Sequence, residues 1–160
     1  QSRGLGDVYK RQDIESNKIR GDSGISYETE SIRLKQAFEQ KGFLVNSIII
    51  TQFNNQEKAI RFEKYLDNLS IDHYRTYDIK GYPNDINYIL SADGFGKNDY
   101  IKTKRPLVVV TGPGPGSGKM ATCLSQMYLD YERGNRSSYA KFETFPIWNL
   151  GLMHLSLIHI

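Results

Sequence analysis

The chain is 160 residues long, enough for one domain with its own core, and its mean hydropathy of −0.53 fits a water-facing surface. Its 21 Lys and Arg against 18 Asp and Glu give a net charge of +3, too small a surplus to argue for a nucleic-acid partner. A single cysteine excludes a disulfide framework and a zinc-ligand set.

The two ends mirror one another. Residues 7–12 read Asp-Val-Tyr-Lys-Arg-Gln and residues 155–160 read Leu-Ser-Leu-Ile-His-Ile. One codon choice for the first, GAT GTG TAT AAG AGA CAG, has as its reverse complement CTG TCT CTT ATA CAC ATC, which translates to the second. That string is similar to a sequencing-library transposon end, so residues 1–12 and 155–160 are expected to be adapter-derived tails around a single α/β domain fragment, residues 13–154. Arg3, Lys10 and Arg11 against Asp7 place two of the surplus charges on residues 1–12, which leaves +1 on the remainder. The apolar run 150–160 is too short to span a membrane.

Residues 13–24 are polar and irregular; the Arg20-Gly21-Asp22 triplet in them is frequent by chance and implies no adhesion role. A helix is predicted over 26–41, capped by Ser26, with Glu28 and Glu30 at its positive end, Ile32, Leu34, Ala37 and Phe38 inward, and Gly42 after its close. Residues 45–51 hold Ile48-Ile49-Ile50, a strand of the buried type. A second helix runs from Asn54-Asn55 to Asn68 with Ala59, Ile60, Phe62, Tyr65, Leu66 and Leu69 inward. Residues 73–79 alternate as a strand, and His73 has no second His or Cys near it in sequence to make a metal site.

The stretch 80–106 is turn-rich, with a short helix over 85–90 between Lys80-Gly81-Tyr82-Pro83 and Asp93-Gly94-Phe95-Gly96-Lys97-Asn98-Asp99. Its Gly, Lys and Asp suit a ligand loop and a solvated connection equally. Lys102, Lys104 and Arg105 read as a solvated charge run.

Leu107-Val108-Val109-Val110-Thr111 reads as a strand buried on both faces, and Gly112-Pro113-Gly114-Pro115-Gly116-Ser117-Gly118-Lys119 ends it. From Met120 the period becomes helical, with Met120, Cys123, Leu124, Met127, Tyr128 and Tyr131 on one side and Gly134 at the close. Strand, glycine loop and lysine at a helix start form an architecture that holds phosphate: residues without Cβ turn amides inward, and the helix end and the ammonium add positive charge. The candidate contacts are Gly112, Gly114, Gly116, Ser117, Gly118 and Lys119, and the ligand class is a nucleotide or phosphorylated metabolite. The G-x-x-x-x-G-K-[ST] pattern asks for Gly at 113 and Ser or Thr at 120, where this chain has Pro113 and Met120. NTP hydrolysis is therefore unsupported, and a tight turn that packs helix on strand without a ligand remains open.

After Gly134, residues 139–145 alternate as a further strand stopped by Pro146. Glu143 near its end is suited to holding a metal or acting as a general base, or to being a plain surface carboxylate. Trp148 reads as a packing anchor. The order of elements predicts an α/β fold, a mostly parallel sheet flanked by helices in a three-layer sandwich, here truncated. Loops beyond the carboxyl ends of its strands would then bring Lys80, Asp85 and Lys119 toward one another.

Lys80-Gly81-Tyr82-Pro83, Gly96-Lys97-Asn98-Asp99-Tyr100-Ile101, the run from Arg105 through the glycine loop to Cys123, and the run from Tyr139 to Leu150 together resemble one bacterial family. It is domain of unknown function 1846, also catalogued as uncharacterised protein family 0371. The resemblance covers nearly all of 13–150 and implies a cytoplasmic protein several hundred residues long, of which this chain is an interior fragment lacking an upstream strand. It implies no reaction, cofactor or metal, and it leaves homo-oligomerisation open. Gly151 departs from the Pro usual after Asn-Leu.

Overall fold

The computed structural model of the protein describes residues 4–10, 26–114 and 116–142. Through them run β1 (Gly4–Lys10), α1 (Tyr27–Gln40), β2 (Leu44–Phe53), α2 (Glu57–Asn68), β3 (His73–Tyr77), a short α3 (Ile86–Ile89), a 3-10 turn (Phe95–Lys97), β4 (Val108–Thr111) and α4 (Lys119–Glu132). The strands form one sheet in the order β3-β2-β1-β4, and every pairing is parallel. Parallel neighbours need long crossovers: α1 carries β1 to β2, α2 carries β2 to β3, and 78–107 carries the chain back past two strands to β4.

β2 is the centre of the core, with Ile48, Ile49 and Ile50 at most 1% exposed. Alternation sends Ile48 and Ile50 to one face, where they pack with Phe53, Ala59, Phe62 and Leu66, and with Ile32 of α1 at the margin. Ile49 faces the other way, onto Ile101, Tyr74 and Val110. Each isoleucine so buried contributes about 1.5–3 kcal/mol. α1 and α2 thus cover one face. α4 lies on the other, where Gln126 donates to Ile101 O at 3.2 Å and takes the Ile101 amide at 3.1 Å.

Local signals set the helix ends. Ser26 Oγ accepts the Thr29 amide at 3.3 Å and caps α1, and Gly42, at φ 80°, closes it with its amide on Glu39 O. Two inward sides differ from the periodic expectation. Among the described side chains of α1, Glu30 and Ser31 are the buried ones, and Arg33 holds the Glu30 carboxylate with both ends of its fork at 2.7 Å. On α2 the core stripe is Ala59, Phe62 and Leu66 with Glu63 beside it, while Tyr65 and Leu69 stand 49% and 44% exposed. A carboxylate is buried there because Arg75 of β3 reaches it at 2.5 and 2.8 Å.

β4 is not buried on both faces. It is an edge strand, with Leu107 outside it and 55% exposed and Val109 38% exposed, because α1 and α2 lie over β1, β2 and β3 and stop short of it. α4 also turns a different side inward: Thr122, Ser125 and Leu129 are buried, while Met120 and Tyr131 are exposed. Ser125 Oγ takes a hydrogen bond from Asn98 Nδ2 at 2.8 Å, which satisfies a polar stripe that hydrophobic spacing overlooks. Of the strand expected over 139–145, residues 139–142 make no ladder, and 143–145 lie outside the described residues.

The place of an upstream strand is held by β1, built from residues that sequence analysis sets apart as a tail. Ladder hydrogen bonds join backbone to backbone, so a slot between two parallel strands accepts Gly-Leu-Gly-Asp-Val-Tyr-Lys as it would an apolar run.

Candidate functional site

All strands run the same way, so the segments after β2, β3 and β4 emerge at one rim of the sheet. The glycine loop leaves β4 after Thr111, and β1 lies between β4 and β2. Even so, the loop reaches β2: Thr51 Oγ1 donates to Ser117 O at 3.1 Å, and Ser117 is 1% exposed. The chain after β4 therefore crosses the carboxyl end of β1. Strand order reverses here, which is where parallel α/β sheets open a crevice for ligands.

Gly116 and Gly118 have φ of 72° and 91°, in the left-handed region that favours glycine. They serve different ends. A Cβ on Gly116 would meet nothing within 4 Å, whereas one on Gly118 would meet Thr51 Cγ2 at 3.0 Å. Gly118 is also the N-cap of α4, and no side chain of the described residues caps that helix start. Among the described residues, the amides of Gly114, Gly116, Ser117 and Gly118 donate no hydrogen bond to the protein. Lys119 Nζ folds back into the loop and donates to Gly114 O at 2.8 Å and Ser117 Oγ at 3.1 Å. The ammonium thus ties Gly114 to Ser117 within the loop.

Across from the loop, the end of β2 curls through Gln52 and Asn55, both non-glycine residues at positive φ (54° and 55°). Gln56 pins the curl by donating to Gln52 O at 3.2 Å and accepting the Asn54 amide at 2.9 Å. Lys80 and Asp85 follow β3, the far edge strand, and among the described residues they form no hydrogen bond or ion pair with the glycine loop. Asp85 is occupied in capping α3, where it accepts the Tyr88 amide at 3.1 Å. Glu143 lies outside the described residues. Sequence reasoning missed Thr51 as a partner of the loop. Its signal was a hydroxyl closing a run of isoleucines at the strand's carboxyl end.

The turn-rich stretch before Tyr100 is structural. Asn98, 7% exposed, accepts the Tyr77 amide at 2.8 Å while donating to Ser125. Asp99 accepts the Arg75 amide at 2.7 Å. Gly94 has room for no side chain, since a Cβ would lie 2.2 Å from Tyr88 O. On α4, burial pushes the Cys123 thiol up to about 11, so it stays protonated and unreactive near neutrality. Thr122 Oγ1 is buried without a partner among the described residues. A hollow of about 330 Å³ lined by Asp67, Ser70, Ile71, Asp72 and His73 sits at the amino end of β3, the rim opposite the glycine loop. Among the described residues, no helix is long and apolar enough to cross a membrane.

The sequence profile described as "Domain of unknown function DUF1846, N-terminal" matches residues 7–158. The chain belongs to the DUF1846 family. UPF0371 protein SpyM50764 of Streptococcus pyogenes serotype M5 (strain Manfredo) is 59% identical over 141 residues, which is 88% of this chain and 28% of the relative. UPF0371 protein SUB1165 of Streptococcus uberis (strain ATCC BAA-854 / 0140J) is 60% identical over the same shares. This DUF1846 chain thus spans 28% of the length of those relatives, and its glycine loop lies within an amino-terminal family module.

Proposed function

We propose that this DUF1846 module binds the phosphate of a nucleotide or phosphorylated metabolite, in the cytoplasm, through the backbone of Gly112 and Gly114 to Gly118 and the ammonium of Lys119. One observation carries the reading: among the described residues, the amides of Gly116, Ser117 and Gly118 in the loop after β4 have no protein partner, and no side chain caps the helix that starts there. Such amides and the helix dipole favour an anion, and the reversal of strand order between β1 and β4 is where one is bound in folds of this type. Lys119 is already at the loop, and an incoming phosphate would compete for it with Gly114 O and Ser117 Oγ.

The test is a thermal-shift screen of nucleotides, sugar phosphates and inorganic phosphate on a full-length family protein, followed by calorimetry on any compound that binds. A ligand at a hundred times its Kd raises stability by about 2.7 kcal/mol. The proposal expects at least one phosphorylated compound to do so, with Lys119→Ala abolishing the shift and Lys119→Arg retaining part of it. Unchanged affinity in a folded Lys119→Ala protein overturns it.

A second reading has its own support. The approach of Gly118 to Thr51 and the burial of Ser117 suit a turn whose work is to seat α4 on the sheet. It expects no phosphorylated compound to raise the melting temperature.

A further inference from the structure

The two edges of the sheet are finished differently. On β3, Asp72 O accepts the Ile48 amide, so the register turns the backbone groups of His73, Arg75 and Tyr77 outward. Those of Arg75 and Tyr77 are engaged: the Arg75 amide donates to Asp99 Oδ2 at 2.7 Å, the Asp99 amide donates to Arg75 O at 3.0 Å, and the Tyr77 amide donates to Asn98 Oδ1 at 2.8 Å. Residues 98–99 therefore stand in for a neighbouring strand and close that edge along Arg75 to Tyr77.

β4 has no such closure from the described residues. Among the described residues nothing bonds to its outer edge, and Val108–Thr111 carries no charge, proline or bulge of the kind that guards an open strand. Leu107 and Val109 remain 55% and 38% exposed in a run whose composition is that of an interior parallel strand. α4 leaves this strand on one face of the sheet. A right-handed crossover would set the next parallel strand beside β4 on the side away from β1. The relatives have the chain to supply it, since this module covers 28% of their length.

We propose that the outer edge of β4 is an internal docking edge of the family protein, occupied by a parallel apolar strand from the chain that follows α4. The sheet then reads β3-β2-β1-β4 and one strand more, with its closed edge at β3. A second copy pairing edge to edge is the competing occupant.

Hydrogen exchange on a full-length streptococcal relative, read residue by residue by NMR, decides between them. A strand paired on one side protects every second amide; one paired on both sides protects them all. The proposal expects slow exchange at every position matching Val108 to Thr111, unchanged when the protein is diluted to a monomer. Alternating fast and slow amides overturn it. So does protection of the outward amides that vanishes on dilution, which assigns the edge to a second copy. As a further check, Val109→Lys should lower the unfolding midpoint of the full-length protein, and a midpoint unmoved by that charge also counts against an occupied edge.

Discussion

Thr51 and Gly118 stand so close that a Cβ on the glycine would lie 3.0 Å from Thr51 Cγ2 and 3.3 Å from its hydroxyl oxygen. The same threonine donates that hydroxyl to Ser117 O, so one side chain both holds the glycine loop and forbids bulk within it. Gly118→Ala then meets overpacking as well as left-handed strain, together about 2–4 kcal/mol. Gly116→Ala meets the strain alone, about 1–2 kcal/mol, because the space beside it is open. Urea unfolding of the two variants should rank them in that order, and equal losses would show that the contact with Thr51 has no energetic weight.

Asn98 links three parts of the fold, β3 through the Tyr77 amide, α4 through Ser125, and its own turn through Phe95 O. Asn98→Ala leaves a half-buried amide and a buried hydroxyl without this partner, a loss of about 1–3 kcal/mol. The exposed Asn84→Ala is the control and should stay within about 0.5 kcal/mol. Chemical denaturation of both proteins checks the difference.

Glu63 is 5% exposed and depends on Arg75, whose guanidinium also lies 4.3 Å above the Phe53 ring. Arg75→Met takes both guanidinium hydrogen bonds from the carboxylate. The expected loss is about 1–3 kcal/mol, less than for a fully buried pair because the Arg75 side chain keeps 40% of its surface in solvent. The double variant Glu63→Leu, Arg75→Met should recover most of it, since an apolar pair of similar volume suits that wall of the core. A thermodynamic cycle over the four proteins reads this directly, and a double variant no better than Arg75→Met would contradict it.

Cys123 offers a pH-dependent readout. Burial lifts its thiol from 9.0 to about 11. Because the folded state favours the protonated form, this contribution to stability is complete below pH 9 and is lost as pH rises through 11. Alkylation by iodoacetamide under native conditions should be slow at pH 8 and climb with a midpoint near 11; a midpoint near 9 would mean that the thiol is solvated.

The backbone of the fold was legible where one residue type decides local geometry. Ile48 to Ile50 announced the central buried strand, Ser26 the start of α1, Gly42 its end, and the alternation of strands and helices the parallel sheet. Illegible were the buried polar positions. Glu63 is interior with Arg75, 12 residues on, against it, and Ser125 with Asn98, 27 residues away. Periodicity weighs each side chain by its own hydropathy and has no view of such partners, so it put Tyr65, Leu69, Met120 and Tyr131 inward instead. Much the same holds at the candidate site. Glycine spacing marked the loop, but its contact with Thr51 follows from strand order, which no local pattern encodes.

β1 is the seam of this sheet. Its ladders are what tie the β2–β3 pair to β4, and beyond them the halves meet through side-chain tethers such as Thr51 to Ser117, Asn98 to Ser125 and Gln126 to Ile101. Trimming residues 1–12 would therefore not shave a loose end from the molecule. It would unzip the sheet down its middle, leaving a two-stranded remnant too small to stand by itself.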